Sequence, residues 1–500
     1  MIANTPKRAG LAAVTALIAA CGTINPEPLT DAELMSLAQG RLNAVVSPDQ
    51  EPVTNSIGLY EAMARALHYN LDRQVELRQE AVRNRELRLA EYDMLPDLVA
   101  NLDYSNRSND PGSRSVTVAT GATSALATRS TGRESFDGDL TLTWDVLDFG
   151  MTYYQARQRS NDVLIALEQR RAATNRIIED TRTAYWRVVS AQRLLNEVRS
   201  LQAQGRRALE QSSGILANSD GDPREQLEFQ RDILRNDQAL EQLARDLDVA
   251  KRQLAALMNL PIGQEFQVVM PQRGRHRSDL NMSRHDMILT AMINRPELRE
   301  VTYRQRNNEL ERPIATLESI PGLSLFVSRN FDDNDLLLNG DWVTTGSRVS
   351  WNLMRVLRLP ERQRTIEAGG ELLDARALAL TQAIATQVIV ARARYASLHR
   401  EFHTASRFLN VQRQLTNQIA REFQSGTATE QELLNERFNL LVAELRSDIA
   451  FADMQNAFAN LYASMGLDSY DGRLTGDESL QQTTQILQQW WQERGDHSIR

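Results

Sequence analysis

The chain contains an internal repeat, and this repeat constrains the fold more than any local motif does. Trp144 and Trp351 stand in the similar contexts Thr-Trp-Asp and Ser-Trp-Asn, 207 positions apart. The same offset aligns a first set of residues with a second, namely Ala250, Leu254, Met258 and Leu260 with Ala457, Leu461, Met465 and Leu467. Upstream of the tryptophans the offset becomes 225 positions, because the first half carries an insertion of about 18 residues around 113–131. Such a duplication predicts one body made of two similar units.

Each unit is predicted to contain a helix, two strands, a very long helix, a turn and a shorter helix. In repeat 1, at 56–263, we expect a β-hairpin at 97–147, where apolar and polar residues alternate. A long helix is expected at 151–214, which contains no proline, and a shorter helix at 223–258. A helix of some 64 residues would extend about 95 Å.

Repeat 2, at 283–467, shows the same order. We expect a β-hairpin at 322–353, a long helix at 361–424 and a shorter helix at 429–465. Apolar residues of both long helices recur every three or four positions, which is typical of a coiled-coil seam. The fold class is therefore mainly α with β-hairpins.

The first twenty residues are typical of a secretory signal peptide, with a basic pair followed by a short apolar run. Cys21, the only cysteine of the chain, follows directly. Ile-Ala-Ala-Cys at 18–21 resembles the bacterial lipobox, which implies acylation (palmitate) of Cys21 as the mature N-terminus. Gly22 is not the aspartate that retains lipoproteins at the inner membrane, so the resemblance also implies sorting to the outer membrane. A plain secretory signal is the alternative.

The remaining segments are predicted to be accessory. Residues 21–55 are expected to be a lipid-anchored tether with a short helix, and 264–282 a linker between the repeats. Residues 468–500 form a Gln-rich tail.

Composition excludes several classes of function. The net charge is −8 and no basic stripe stands out, so no nucleic-acid partner is predicted. Nothing in the sequence provides a nucleophile–base pair, a phosphate loop or a cofactor site, so we expect no enzyme activity and no cofactor. His399 and His403 lack the spacing of the metalloprotease motif and are interpreted as an exposed pair on a helix, so no metal site is predicted.

The two hairpins provide four strands, which are too few to close a barrel in one chain. An open sheet edge is not viable in lipid. Either the hairpins decorate a soluble helical rod, or several chains pool their strands, as a dimer with eight or a trimer with twelve. Trp144, Trp351 and Tyr104 lie on the apolar face of the predicted strands, as expected for aromatic residues at a membrane interface.

Three groups of motifs, in the same order in both repeats, resemble the TolC family of outer-membrane efflux proteins over about 56–467. Asn-Arg-Pro-Glu-Leu at 294–298 with Ile-Pro-Gly-Leu at 320–323 resembles the family's entry into its first strand. Leu142 to Gly150 resembles the second strand as it leaves the membrane. Phe-Gln-Ser-Gly-Thr at 423–427, followed by Glu-Leu-Leu at 432–434, resembles the helix-turn-helix tip. The lipoprotein members of the family, which are OprM-like, show the greatest similarity.

This resemblance implies a homotrimer with a twelve-stranded β-barrel in the outer membrane, continuous with a long α-helical barrel in the periplasm. It also implies that the C-terminal tail, 468–500, packs around the outside of the helical barrel near its equator. It implies a passive exit duct that docks to a periplasmic adaptor (membrane fusion) protein and an inner-membrane transporter, for efflux or for type I secretion. A periplasmic coiled-coil scaffold without a pore is the competing interpretation.

The resemblance also assigns roles to the two tips. Acidic residues that could ring a periplasmic gate are Glu432, Glu225, Glu228, Asp220 and Asp222. Turn residues that could dock the adaptor are Ser425, Gly426, Thr427, Gly221 and Pro223. The alternative for the acidic residues is helix capping, because Thr429 with Glu432 and Asp222 with Glu225 both have the spacing of a capping box.

Overall fold

The computed structural model describes residues 27–46, 49–217, 222–270, 282–467 and 478–496. These residues belong to two compact units. The smaller unit, Met1–Pro52 with Leu260–Glu265, contains helix α1 (Asp31–Val46). Thr30 caps this helix, since its hydroxyl accepts from the amide of Glu33 at 3.3 Å while the Glu33 carboxylate accepts from the Thr30 amide at 2.8 Å.

The larger unit, Val53–Asn259 with Phe266–Arg500, contains the other described elements. Its first half consists of α2 (Leu59–Tyr69), α3 (Leu71–Tyr92), β1 (Asp97–Asn106), β2 (Gly112–Ser113), β3 (Thr128–Arg129), β4 (Glu134–Asp145), α4 (Val146–Ala217) and α5 (Pro223–Leu257). Its second half consists of α6 (Arg284–Asn294), α7 (Pro296–Ser319), β5 (Gly322–Asp332), β6 (Asp341–Ser350), α8 (Leu353–Gln424), α9 (Glu430–Ser464) and α10 (Leu480–Asp496). The chain is thus mainly helical with antiparallel strands.

The two halves contain helices of equal length. Helices α4 and α8 have 72 residues each, and α5 and α9 have 35 each. At 1.5 Å per residue the long helices extend about 108 Å. Helix α4 begins directly after β4 rather than at 151, and α8 begins three positions after the end of β6 rather than at 361, so Pro360 lies inside α8. The side chain of Asn352 starts α8 by accepting from the amide of Met354 at 3.2 Å.

The first helix of each repeat is interrupted, which differs from the single helix expected before the strands of each repeat. Asn70 adopts an extended conformation (ψ 127°), and its side-chain oxygen accepts from the amide of Arg73 to start α3. Arg295 is likewise extended (ψ 126°) because it precedes Pro296, which opens α7. The two breaks occupy corresponding positions in the repeats.

Four strands form one antiparallel sheet in the order β1-β4-β5-β6. The central pairing of β4 with β5 joins the two predicted hairpins into a single sheet. Strands β2 and β3 form a separate small ladder within the long loop between β1 and β4.

The helices pack around α4, which contacts α3, α5, α7 and α9, while α8 contacts α7 and α9. A core near the break between α2 and α3 brings the tail helix α10 onto α2 and α4. This core includes Met63, Leu67, Ile178, Leu480 and Leu487.

Candidate functional surfaces

The four-stranded sheet has one apolar face, and that face is exposed in the single chain. The register of the strands places apolar side chains opposite one another on this face, since Leu98 pairs with Leu142 and Leu142 pairs with Val327. The apolar set is Leu98, Leu102, Tyr104, Phe136, Leu140, Leu142, Trp144, Leu323, Leu325, Val327, Phe331, Val343 and Val349, each between 38% and 69% exposed. The charged exceptions on this face are Arg329 and Asp341, whose side chains pair with each other at 3.0 Å. An exposed apolar surface of this extent marks a contact with lipid or with protein.

The opposite face of the sheet is polar and is linked across all four strands. Asn101 on β1 donates to Asp139 on β4 at 3.2 Å, and the hydroxyls of Thr141 and Ser328 are 2.7 Å apart. From β5, Asn330 donates to the hydroxyl of Thr344 on β6 at 3.0 Å. Aspartates are frequent on this face, at positions 97, 103, 137, 139 and 145. Such a surface suits contact with water.

Aromatic residues lie at both ends of the apolar face. Trp144 stacks edge-on against Phe149 with 6.1 Å between ring centroids, at the end of the sheet where the helices begin. Trp351 lies at the same end, where its indole nitrogen donates to the carbonyl of Ser319 at 3.0 Å. Tyr104 lies at the loop end, opposite Phe136. From Phe136 to Trp144, strand geometry gives about 27 Å, close to the apolar band of about 25 Å in outer-membrane barrels.

Both edges of this sheet are open. Among the described strands, β1 pairs only with β4 and β6 pairs only with β5. Each edge therefore presents a row of backbone groups along some ten residues. Rows of this kind are templates for pairing with another strand.

The tip between α8 and α9 is a tight, well-bonded turn. Gly426 has φ +77°, a conformation that residues with a Cβ rarely adopt. The amide of Thr427 donates to the carbonyl of Glu422 at 2.9 Å, and the hydroxyl of Ser425 donates to the same carbonyl at 2.9 Å. Ser425 and Thr427 thus close the end of α8, and the turn projects between two helices.

Glu432, the leading candidate for a gate residue, caps α9. Its carboxylate accepts from the amide of Thr429 at 2.8 Å and from the hydroxyl of Thr429 at 3.0 Å, and the Glu432 amide donates to that hydroxyl at 3.2 Å. These hydrogen bonds, the one from the backbone foremost, hold the pKa of Glu432 below its ordinary value. The carboxylate is fully exposed and remains ionised at neutral pH.

The tip between α4 and α5 is only partly described. Asp220 and Gly221 lie outside the described residues. Asp222 caps α5, because its carboxylate accepts from the amide of Arg224 at 2.9 Å, and Pro223 occupies the first turn. The exposed carboxylate of Glu228 pairs with Arg224 at 3.1 Å. Position 225 lies in the first turn of α5.

The two helical pairs are joined side by side behind the tips. Leu434 and Phe438 of α9 meet apolar residues of α4 and α5, and Phe229, Ile233 and Leu240 are among them. A depression in this region is bordered by Ile233, Leu240, Leu434 and Phe438. Farther along, Arg193 of α4 pairs with the buried carboxylate of Asp448 of α9 at 3.0 Å. The tips therefore belong to one continuous helical layer.

A cluster of buried polar side chains lies around the middle of α4, and no sequence motif indicated it. The hydroxyl of Tyr185 donates to the carbonyl of Val269 at 2.6 Å, and the side-chain amide of Gln192 donates to the carbonyl of Val268 at 3.0 Å. The buried guanidinium of Arg182 donates to Asn460 of α9 at 3.0 Å and lies 5.8 Å from the ring of Trp491. These contacts join residues up to hundreds of positions apart, so no local pattern could reveal them.

Two other predictions concern Cys21 and the pair of histidines. Cys21, the predicted lipidation residue, lies outside the described residues. His399 and His403 are neighbours with 4.6 Å between ring centroids, and burial lowers the pKa of His399. Among the described residues there is no cluster of three His, Cys, Asp or Glu side chains that could hold a metal ion. No described helix combines the length and the apolarity that a bilayer span requires.

The fold is shared with solved outer-membrane channels. The outer-membrane channel OprN superposes with a TM-score of 0.64 at 16% identity, covering 82% of this chain and 89% of that one. The CmeC outer membrane channel of Campylobacter jejuni superposes with a TM-score of 0.64 at 13% identity, covering 94% and 97%. The open state of the MtrE outer membrane channel of Neisseria gonorrhoeae gives 0.63 at 16% identity, covering 84% and 94%.

No protein-family model matches the sequence, and a search of curated proteins also finds no match. At identities of this size the structural likeness establishes a common fold. It extends over nearly the whole length of the channels compared.

Proposed function

We propose that this chain is one subunit of an outer-membrane exit duct of the TolC family, which carries substrates passively from a periplasmic assembly to the exterior. The observation that carries the proposal is the sheet, with an exposed apolar face, a polar face linked across four strands, and two open edges. A wall of a membrane barrel needs all three features, because lipid contacts one face, water contacts the other, and each edge must find a partner.

Closure requires several copies. Three chains would contribute four strands each, and β6 of one would pair with β1 of the next to give twelve strands. The trimer, rather than the dimer of eight, is what the resemblance to the TolC family favours. The apolar faces would then form one outer belt, with Trp144, Trp351 and Tyr104 near its two interfaces.

The helices would continue this barrel across the periplasm. Helices α4 and α8 are long enough, at about 108 Å each, to form a tunnel wall. The turns at Ser425–Thr427 and at Gly221–Pro223 would dock a periplasmic adaptor, which in turn joins an inner-membrane transporter that supplies the energy. Efflux of small molecules and type I secretion of proteins both fit a passive duct.

Acidic residues at the tips would set the charge of the periplasmic entrance. Glu432 remains ionised because its capping hydrogen bonds lower its pKa. Repetition around a symmetry axis, together with Glu225, Glu228, Asp220 and Asp222, would concentrate negative charge there. A ring of carboxylates favours cations and repels anions.

Lipidation of Cys21 would add an anchor to the outer membrane. In a Cys21→Ser variant this anchor is lost, yet a barrel should still hold the protein in the membrane. Washing membranes with carbonate or urea, without detergent, tests this. We expect the variant to stay in the pellet, whereas release into the wash would favour the periplasmic scaffold. Metabolic labelling with palmitate, present in the native chain and absent in the variant, tests the lipid itself.

A further inference from the structure

The turn between β5 and β6 contains three consecutive leucines that are unusually exposed. Leu336, Leu337 and Leu338 are 48%, 42% and 100% exposed. They border a shallow depression together with Asn339 and Trp342. In the proposed barrel this turn lies at the end of the sheet away from the helices, at the exit of the duct.

Hydrogen bonds of Asp333 and Asn334 hold this turn in place. Asp333 is bound to Phe136 twice, since its carboxylate accepts from the Phe136 amide at 2.7 Å and its own amide donates to the Phe136 carbonyl at 3.0 Å. The buried side chain of Asn334 donates to the carbonyl of Ser130 at 2.9 Å and accepts from the amide of Leu336 at 3.3 Å. The leucines are therefore presented by backbone that is fixed to β4 and to the neighbouring loop.

The position of Trp342 shows which side of the sheet the leucines occupy. Trp342 pairs in register with Asn330, and the side chain of Asn330 bonds that of Thr344, two residues along β6 from Trp342. Trp342 therefore belongs to the polar face, and the leucines that border the same depression lie over that face. In a closed barrel the polar face lines the lumen, so the leucines stand at the lumenal side of the exit and not on the lipid side.

From this placement we infer that the Leu336–Leu338 turns of the assembled copies meet one another across the exit and form an apolar constriction there. The inference rests on the proposed function, because it requires a closed barrel of several copies. Each turn offers apolar surface that water covers in the single chain, and identical turns related by rotation lie at the same height around the axis. A ring of leucines excludes water and hydrated ions, which closes the exit until cargo or an opening of the barrel separates the turns.

Thiol labelling of intact cells tests the constriction. Every variant is made in the full chain with Cys21→Ser, which removes the only native cysteine. Thr344→Cys places a thiol on the polar face below the turn, and Val118→Cys places one on the long loop, where the side chain is fully exposed. We expect a bulky, membrane-impermeant maleimide to label Val118→Cys quickly and Thr344→Cys slowly.

Replacing all three leucines by serine should accelerate labelling of Thr344→Cys several-fold and leave Val118→Cys unchanged. Equal rates of Thr344→Cys labelling with and without the serines would overturn the constriction. If Val118→Cys is itself unreactive on intact cells but reacts after lysis, the loops do not reach the exterior, and the proposed duct fails along with the constriction.

A crosslink provides a second, independent readout. Leu338→Cys in the assembled protein should give disulfide-linked dimers in several-fold higher yield than Leu126→Cys, an exposed leucine of the long loop. Equal yields, or quenching of a dye on Leu338→Cys by nitroxide lipids, would place the turn away from the axis and overturn the inference.

Discussion

Introducing one charged residue into the sheet distinguishes a sheet whose apolar face contacts lipid from one that stays outside the membrane. Leu142 lies in the middle of the apolar face, between Leu98 on β1 and Val327 on β5, and is 41% exposed in the single chain. The adjacent Thr143 points to the opposite face and pairs in register with Asp97. Leu142→Arg and Thr143→Arg therefore introduce the same charge one residue apart on opposite faces.

The expected penalties differ strongly between the two variants. An arginine on the lipid face of an outer-membrane barrel costs about 2–4 kcal/mol near the bilayer midplane. Since 1.4 kcal/mol is a factor of ten, this corresponds to about 30- to 700-fold per chain in the equilibrium between inserted and uninserted protein. On the polar face, an arginine would stand in water beside Asp97 and cost little.

The assay compares the two variants in outer-membrane fractions. Folded assembly is read from the heat-sensitive mobility of unboiled protein on gels, and insertion from resistance to a urea wash. We expect Leu142→Arg to reduce inserted protein severely, whereas Thr143→Arg should resemble the unmodified chain. Equal insertion of both variants, or detergent-free solubility of Leu142→Arg in the folded state, would refute the assignment of the apolar face to lipid.

Three further predictions concern the helices. Thr429→Ala removes the cap of α9 and should destabilise its first turn by about 1 kcal/mol, seen as faster hydrogen exchange near residues 432–433, whereas Glu432→Gln should keep the cap and reduce only the cation preference of single-channel currents. Gly466→Ala should lower the melting temperature more than Gly426→Ala: both glycines have positive φ, but a Cβ at position 466 would lie 2.7 Å from a backbone carbon of α6, whereas position 426 is open. Burial raises the pKa of Glu179, so the folded state holds the Glu179 proton more tightly than the unfolded state does. The free energy of unfolding therefore falls as the pH rises from the ordinary pKa of a glutamate through the raised pKa of Glu179. Glu179→Gln should therefore be more stable than the unmodified chain at about pH 7.5 and equal to it at about pH 3.5 in urea unfolding. The first prediction is wrong if Thr429→Ala and Glu432→Gln show the same hydrogen-exchange rates near residues 432–433. The second is wrong if Gly426→Ala lowers the melting temperature more than Gly466→Ala does. The third is wrong if the stability difference between Glu179→Gln and the unmodified chain does not change with pH.

Periodicity was the part of the sequence that predicted structure well. The three-and-four spacing in the long helices and the alternation around Trp144 and Trp351 are local properties of the chain, and they predicted long helices and hairpins where α4, α8 and the sheet lie. The capping box at Thr429 is also local, and its hydrogen bonds are present.

Features that depend on distant contacts could not be predicted in this way. The break at Asn70 lies where the side-chain amide of Asn70 donates to the carbonyl of Leu257 at 3.1 Å, far away in sequence. The pairing of β4 with β5 and the cluster of polar side chains around Tyr185 likewise join segments that no periodic pattern relates. The start expected at 361 was too late, because α8 begins at Leu353 and continues through Pro360.

The central claim is that several copies of this chain close their sheets into one barrel continuous with a helical tube. Electron-microscopic class averages of the full chain, purified in detergent, test it most directly. We predict threefold end views, and side views with a detergent belt at one end of a tube at least about 108 Å long. Single or twofold rods without a belt would contradict the account, because the apolar face and open edges of the sheet would then serve no barrel.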